Sequence, residues 1–280
     1  MATLPRFEVF ASAPDADVEL TTGALLIAQD LRPALDARLV YETLGELAAP
    51  LSGLELGRAP LEEQAAAMAQ RLYVAGGFRG NEADYYDPKN SLLPDVLERR
   101  VGIPISLAVV YCDVASRLGL RARGVSFPGH FLVRLEPAPG GRPETPVYVD
   151  PFFGGRTLDD GRLHDLLRKV AAEGDTLRPE YLEPATTRAI LLRMLMNLRG
   201  IYLSRGDLAR AMLVVDRIAT LNPASPGAIR DRGLLSARLG ASQAAISDLS
   251  RFLELVPDAE DKDELREKIS SLASKPQMWS

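Results

Sequence analysis

Apolar residues in "TTGALLIAQDLRPALDARLVYETLGELAAPL", residues 21–51, recur at steps of three and four, the period of a helix with one buried face. "PLEEQAAAMAQRLYVAGGF", residues 60–78, repeats the pattern, opening on Pro60 and acids and ending on Gly76-Gly77. "RGNEADYYDPKNS" reads as a polar turn region, and "SLLPDVLERRVG" as a short helix stopped by Gly102. The pattern changes at "IPISLAVVYCDVASRLG", residues 103–119, which is apolar on almost every face and predicts a helix inside a core. After Gly119, "RARGVSF", "HFLVRLE" and "VYVDPFF" read as strands, with the Gly/Pro-rich "PAPGGRPETP" as a connection. A long helix followed by neighbouring strands predicts an α+β core, an antiparallel sheet packed on the central helix, preceded by a mainly helical N-terminal region.

"GRTLDDGRLHDLLRKVAAEG" adds a helix, and "DTLRPEYLEPATTR" reads as a linker. Beyond it the sequence repeats itself: Gly206 and Gly240, Ala211 and Ala245, Pro223 and Pro257 are each 34 residues apart. That period, with small residues where paired helices approach and a proline closing each unit, resembles the tetratricopeptide repeat. The glycines let one helix turn into the next, and the alanines allow close packing. Two repeats leave an apolar end, so "DKDELREKISSLA" is expected as a capping helix. The division expected is 1–180 for the α+β domain and 181–280 for an all-α repeat domain. Its groove is expected to take a protein or peptide.

Composition narrows the functions. With 46% apolar and 25% charged residues the 280-residue chain has the mix of a globular protein, and a net charge of −5 gives no reason to expect nucleic acid or an anionic membrane as partner. The single cysteine excludes an internal disulfide and any CxxC redox or zinc motif. The first twenty residues carry acids and no apolar h-region, and no run approaches a membrane span, so the expected location is the cytoplasm. His164 lies near Asp159, Asp160 and Asp165, but their spacing matches no ligand pattern; a helix-surface histidine is expected there, with no metal and no cofactor. Oligomeric state is not legible.

The candidate chemistry lies in "GIPISLAVVYCDVASRLGLRARGVSFPGHFLVRL" and "VYVDPFFGG". A helix ending in Leu118-Gly119, Arg123 in an "R-x-V" strand, His130 on the next strand and Asp150-Pro151 after it resemble the transglutaminase-like core, a relative of the papain fold. "GGFRGNEADYYDPKNSLLPDVLERRVGIPISL", "PGHF" and "DPFFGG", followed by tetratricopeptide repeats, resemble more closely a bacterial family that fuses the two, whose activity the resemblance leaves undefined. What the resemblance implies is a triad: a thiolate attacks an amide carbonyl, His130 shuttles its proton, and Asp150 fixes the imidazole.

The nucleophile does not fit. In the family it stands in the first turn of the central helix, about fourteen residues before the leucine of "LG"; here that is Pro104. Cys112, the only cysteine, lies eight residues further on, about 12 Å along the helix and about 80° round it. A small core residue is its simplest reading. Ser106 is the hydroxyl nearest the expected place, either as an activated serine or as a first-turn serine bonded to backbone. Asn90 and Arg99 match the bacterial family's motif and would donate to a carbonyl or carboxylate in the groove; alternatively Asn90 caps a helix and Arg99 sits on a solvated face. Two readings stay open. One is a regulatory protein- or peptide-binding protein whose domain has lost its nucleophile, a pseudoenzyme. The other is a hydrolase or acyltransferase acting on amide bonds through Ser106 or Cys112, His130 and Asp150.

Overall fold

A computed structural model of the chain describes residues 4–140, 143–170 and 176–274. Two compact units divide the chain, Met1–Arg6 with Ala13–Met194 and Phe7–Ser12 with Leu195–Ser280, so a short first helix α1 (Phe7–Ser12) belongs to the second unit.

The first unit begins with α2 (Leu20–Leu31), capped by the Glu19 carboxylate, which accepts the Thr22 N–H at 3.1 Å, and α3 (Ala37–Ala48), capped in the same way by Asp36. Next come α4 (Leu61–Ala69), β1 (Arg79–Gly80), α5 (Leu93–Arg99), β2 (Val101–Gly102) and α6 (Pro104–Arg117). Ten of the fourteen α6 residues are buried, from Pro104 to Ala115, which makes it the axis of the core against α3, α5 and the main sheet. Removing each Leu- or Val-sized side chain from water contributes about 1.5–3 kcal/mol, so this all-round apolar helix is stable only where it lies.

The main sheet is an antiparallel meander of β3 (Arg121–Val125), β4 (Leu132–Glu136), β5 (Val147–Asp150) and β6 (Arg156–Leu158) in that order. Its register puts Val125 opposite Leu132, Val133 opposite Val149 and Asp150 opposite Arg156. β1 and β2 form a separate parallel pair, Gly80 opposite Gly102. Helix α7 (Asp160–Arg168) follows the sheet, and α8 (Thr187–Ser204) contains the boundary between the units.

Four details differ from the sequence pattern. His130 precedes β4, in a turn built by Pro128 and Gly129 (φ 64°), because the chain reverses there. "RTL" forms a fourth strand, too short to show an alternating pattern. Helix α5 ends at Arg100 in the left-handed conformation (φ 58°), not at Gly102. The expected linker is fixed to the sheet: the Ala185 N–H donates to the Gly124 carbonyl at 2.8 Å, and Pro184 bridges Val125. Residues 171–175, expected as a helix end and the start of the linker, lie outside the described residues, as do 141 and 142 of the Gly/Pro connection.

The second unit contains α9 (Leu208–Leu221), α10 (Pro226–Arg238), α11 (Ser242–Leu255) and α12 (Lys262–Ala273). Gly206 and Gly240 turn between paired helices at φ 69° and 81°, and Ala211 and Ala245 are fully buried. The 34-residue period is therefore a repeat of helix pairs. Arg232 links three helices, reaching Asp248 at 2.8 Å and Asp216 at 3.3 Å. Helix α1 lies on α9, with Arg217 over the Phe7 ring at 4.6 Å. Among the described residues no helix is long and apolar enough to cross a membrane.

Candidate functional site

Asp150 ends β5 fully buried, and its Oδ1 is 2.9 Å from Nε2 of His130. The same oxygen accepts the N–H groups of Phe152 (3.1 Å) and Phe153 (3.3 Å), while Oδ2 faces Arg156 at 3.4 Å. Burial by itself pushes this carboxyl up. The His130 hydrogen bond and charge, with the two backbone N–H groups, outweigh burial and hold Asp150 below the usual carboxylate range. With Nε2 engaged, Nδ1 of His130 has no hydrogen-bond partner among the described residues. The turn is braced by Arg193 of α8, which donates to the His130 carbonyl at 2.8 Å and to Ser126 Oγ at 2.6 Å.

No hydroxyl or thiol joins this pair. Ser106 is fully buried at the third position of α6, its hydroxyl donating to the Asn90 carbonyl at 2.6 Å and accepting the Ile103 N–H at 3.1 Å. That accepted bond is one arm of a capping box; isoleucine at the cap has no side-chain acceptor for the other. Cys112 lies mid-helix and half-buried, its thiol pushed up to about 12 by burial and then by the Asp113 carboxylate. It lines a cavity of about 410 Å³ with Thr21, Asp113, Arg117 and Arg123, and neither His130 nor Asp150 borders that space. Pro104, at the place where the resemblance implies a nucleophile, starts the helix and is buried.

Asn90 and Arg99 are engaged inside the protein, not turned to a groove. Asn90 is fully buried, donating to the Asp84 carbonyl at 2.7 Å and the Tyr85 carbonyl at 3.2 Å and accepting from Asn81 at 3.1 Å. Arg99 pairs with Asp87 at 2.9 Å. Together they fix the 81–87 loop. His164 is on the exposed face of α7, its Nδ1 2.7 Å from the Asp160 carbonyl, while Asp159 caps that helix. Among the described residues no group of three His, Cys, Asp or Glu side chains could hold a metal ion.

What that loop presents was not foreseen from the sequence. Tyr86, Tyr85, Phe152, Phe153 and His130 form a continuous aromatic row with neighbouring ring centroids 5.3, 6.1, 5.0 and 6.2 Å apart. Phe153 stacks on His130 at an interplanar angle of 26°, and Arg156 lies over Phe153 at 4.7 Å. Glycines make the close approaches: a Cβ on Gly80 would sit 2.5 Å from the Phe152 ring, and one on Gly155 (φ 69°) 2.3 Å from Tyr73. Tyr73 reaches that spot from a single π-helical turn, Gln70–Ala75, that widens the end of α4. The doublets "YY" and "FF" were the available signal, but nothing in the spacing said they would meet.

A buried helix under an antiparallel meander, His and Asp joined at the end of β5, and 34-residue helix pairs later in the chain define a transglutaminase-like protein with tetratricopeptide repeats. A model of the transglutaminase-like superfamily matches residues 27–196, and a tetratricopeptide repeat model matches residues 198–270. The chain belongs to the transglutaminase-like superfamily and, within it, to the UPF0162 proteins. It is 41% identical to a UPF0162 protein of Xylella fastidiosa (strain Temecula1), over 97% of this chain and 96% of the relative. UPF0162 protein YchA of Escherichia coli K12 is 29% identical and Protein SirB1 of Salmonella typhimurium LT2 28%, each over 98% of both chains. None of these names states an activity. No solved structure matches the chain.

Proposed function

We propose that the transglutaminase-like unit recognises a polypeptide segment without cleaving or acylating it, and that the tetratricopeptide unit supplies a second peptide-binding surface, so that the protein acts by binding partners, in a regulatory role. The observation that carries this reading is the start of α6: Pro104 stands where the nucleophile belongs, and the Ser106 hydroxyl proton is spent on the Asn90 carbonyl. The one thiol, at about 12, holds almost no thiolate at neutral pH. His130 then serves as an oriented polar group, fixed at Nε2 by Asp150 and free at Nδ1 for a ligand. Tyr85, Tyr86 and Phe153, exposed by 40%, 70% and 37%, supply apolar contact beside it, and contiguous exposed aromatics are the mark of a contact surface. The net charge of −5 favours protein over nucleic acid as partner, and an unpaired cysteine suits the reducing cytoplasm.

The test has two arms on the full chain. Peptides selected from a random phage-displayed library, then measured by fluorescence anisotropy, should lose at least tenfold in affinity with Tyr86→Ala or Phe153→Ala in one set, and with Met196→Glu, exposed on α8, in another. Peptides indifferent to all three substitutions would overturn the assignment of both surfaces. In the second arm, incorporation of a dansylated amine into casein and release from peptide nitroanilides should match the His130→Ala background. Turnover that vanishes with His130→Ala would establish the acyl-transfer or amide-hydrolysis alternative.

A further inference from the structure

Arg100 is placed at a cost and given no partner. It follows α5 in the left-handed conformation that glycine ordinarily supplies, φ 58°. Its guanidinium lies over the Phe78 ring at 4.8 Å, makes no hydrogen bond or ion pair among the described residues, and has Nη1 shut off from water. Burial and then the neighbouring Arg71 disfavour its charge, more than the Glu46 carboxylate, which forms no ion pair with it, favours it. Arg71 is already committed, donating to the Leu47 and Glu46 carbonyls at 2.7 and 2.9 Å. Strained backbone and an unsatisfied buried donor at one residue are features that gather where a ligand is held.

Arg100 also borders a cavity of about 410 Å³ between the α2–α3 connection and α5, within the roughly 300–1,000 Å³ of small-molecule sites. Its walls are mainly apolar: Leu35, Leu39, Val40, Pro94 and Leu97. The other charges there are spent. Arg32 pairs with Asp95 at 3.2 Å and Glu98 at 3.6 Å, and Asp36 caps α3 and pairs with Arg38 at 3.7 Å. The chamber thus sets an apolar wall beside Arg100, a cation with no ion pair, while the Asp36 and Glu98 carboxylates on its lining are already paired, and neither His130 nor any ring of the aromatic row borders it.

We propose that this cavity binds a small amphipathic anion, an apolar body carrying one carboxylate or phosphate group, with Arg100 as its anchor. The anion supplies the ionic partner the guanidinium lacks, and the apolar body covers Leu39, which is 54% exposed.

Isothermal titration of the full chain with octanoate, octyl phosphate and octanol tests this. At least one anion should bind ten times or more tighter than octanol, and the tighter of the two names the head group. Arg100→Gly removes the cation and relieves the left-handed backbone; it should erase the preference for the anion while melting no lower than the wild type. Arg100→Gln, which keeps the unbranched stem, should do the same should the glycine variant fail to fold. Leu39→Glu should weaken anion binding at least tenfold. Failure of both anions to bind, equal affinity for octanol, or an undiminished preference in the Arg100 variants overturns the proposal.

Discussion

The reactivity of Cys112 decides whether thiol chemistry is open to this protein, and its size follows from its surroundings. Burial and the Asp113 carboxylate raise the thiol to about 12, against about 8.5 for free cysteine. At pH 7 the thiolate fraction is then about 10⁻⁵ in the folded chain and about 3 × 10⁻² in the unfolded one, a ratio of roughly 3,000. A more basic thiolate is also a better nucleophile: with a Brønsted slope of about 0.45 the folded thiolate recovers roughly 40-fold. The net expectation is a reaction with Ellman's reagent on the order of 80-fold slower in the native chain than in guanidinium chloride, each rate divided by that of N-acetylcysteine in the same solvent. The pH profile is the sharper readout. The unfolded rate should level off above about pH 8.5, while the native rate keeps rising tenfold per pH unit. A native Cys112 that reacts as fast as the unfolded one, or whose rate levels off below pH 8, would refute the reasoning and reopen Cys112 as a nucleophile.

Ser106→Ala should cost about 1–3 kcal/mol in urea denaturation, because the Ile103 N–H and Asn90 carbonyl lose a buried partner; unchanged stability would mean that the hydroxyl is not a fixed part of the helix start. Gly155→Ala should destabilise by both a steric clash with Tyr73 and a left-handed backbone worth about 1–2 kcal/mol, and adding Tyr73→Ala should remove only the steric part in a double-mutant cycle. Asp150 is held below the ordinary carboxylate range, so its contribution to stability should be present above about pH 4 and fade as pH falls through the folded value. The gap in melting temperature between wild type and Asp150→Asn should therefore shrink between pH 5 and pH 3; a gap that stays constant would contradict the linkage. Ala245→Leu should overpack the repeat interface by about 1–3 kcal/mol, seen as a lower urea midpoint.

The large elements were legible because each rests on a repeated pattern. The apolar circumference of residues 104–115 requires burial, and the 34-residue spacing of Gly206 with Gly240 and Ala211 with Ala245 requires stacked helix pairs. The meeting of His130 with Asp150 followed from the resemblance, not from any period. What escaped are features decided by single contacts. Pro128 and Gly129 take His130 out of its strand, and Arg100 occupies a conformation where glycine was expected. Asn90, read as a groove donor or a helix cap, turns inward to the carbonyls of residues 84–85, and Arg99, read as a groove donor or a surface residue, is half-buried and paired with Asp87. The aromatic row depends on Gly80 and Gly155 having no side chain, information that no hydrophobic pattern carries.

Asp150 also shows how a His–Asp pair is held in a chain with no nucleophile beside it. Four groups converge on that carboxylate, and three of them, the Phe152 and Phe153 N–H groups of the turn after β5 and Arg156 at the start of β6, take no part in proton transfer. Removing the carboxylate would leave the Phe152 and Phe153 N–H groups without their acceptor, whatever happens at His130. The turn is what orients Phe152 and Phe153, and Phe153 in turn stacks on the imidazole. On the proposed reading the pair does structural work for the aromatic row, the surface proposed above to meet a partner. The distinction is measurable: a purely structural Asp150 predicts that Asp150→Ala, which leaves the two N–H groups without an acceptor, weakens selected peptides about as much as Phe153→Ala does, whereas a proton-transfer role predicts intact binding with lost turnover.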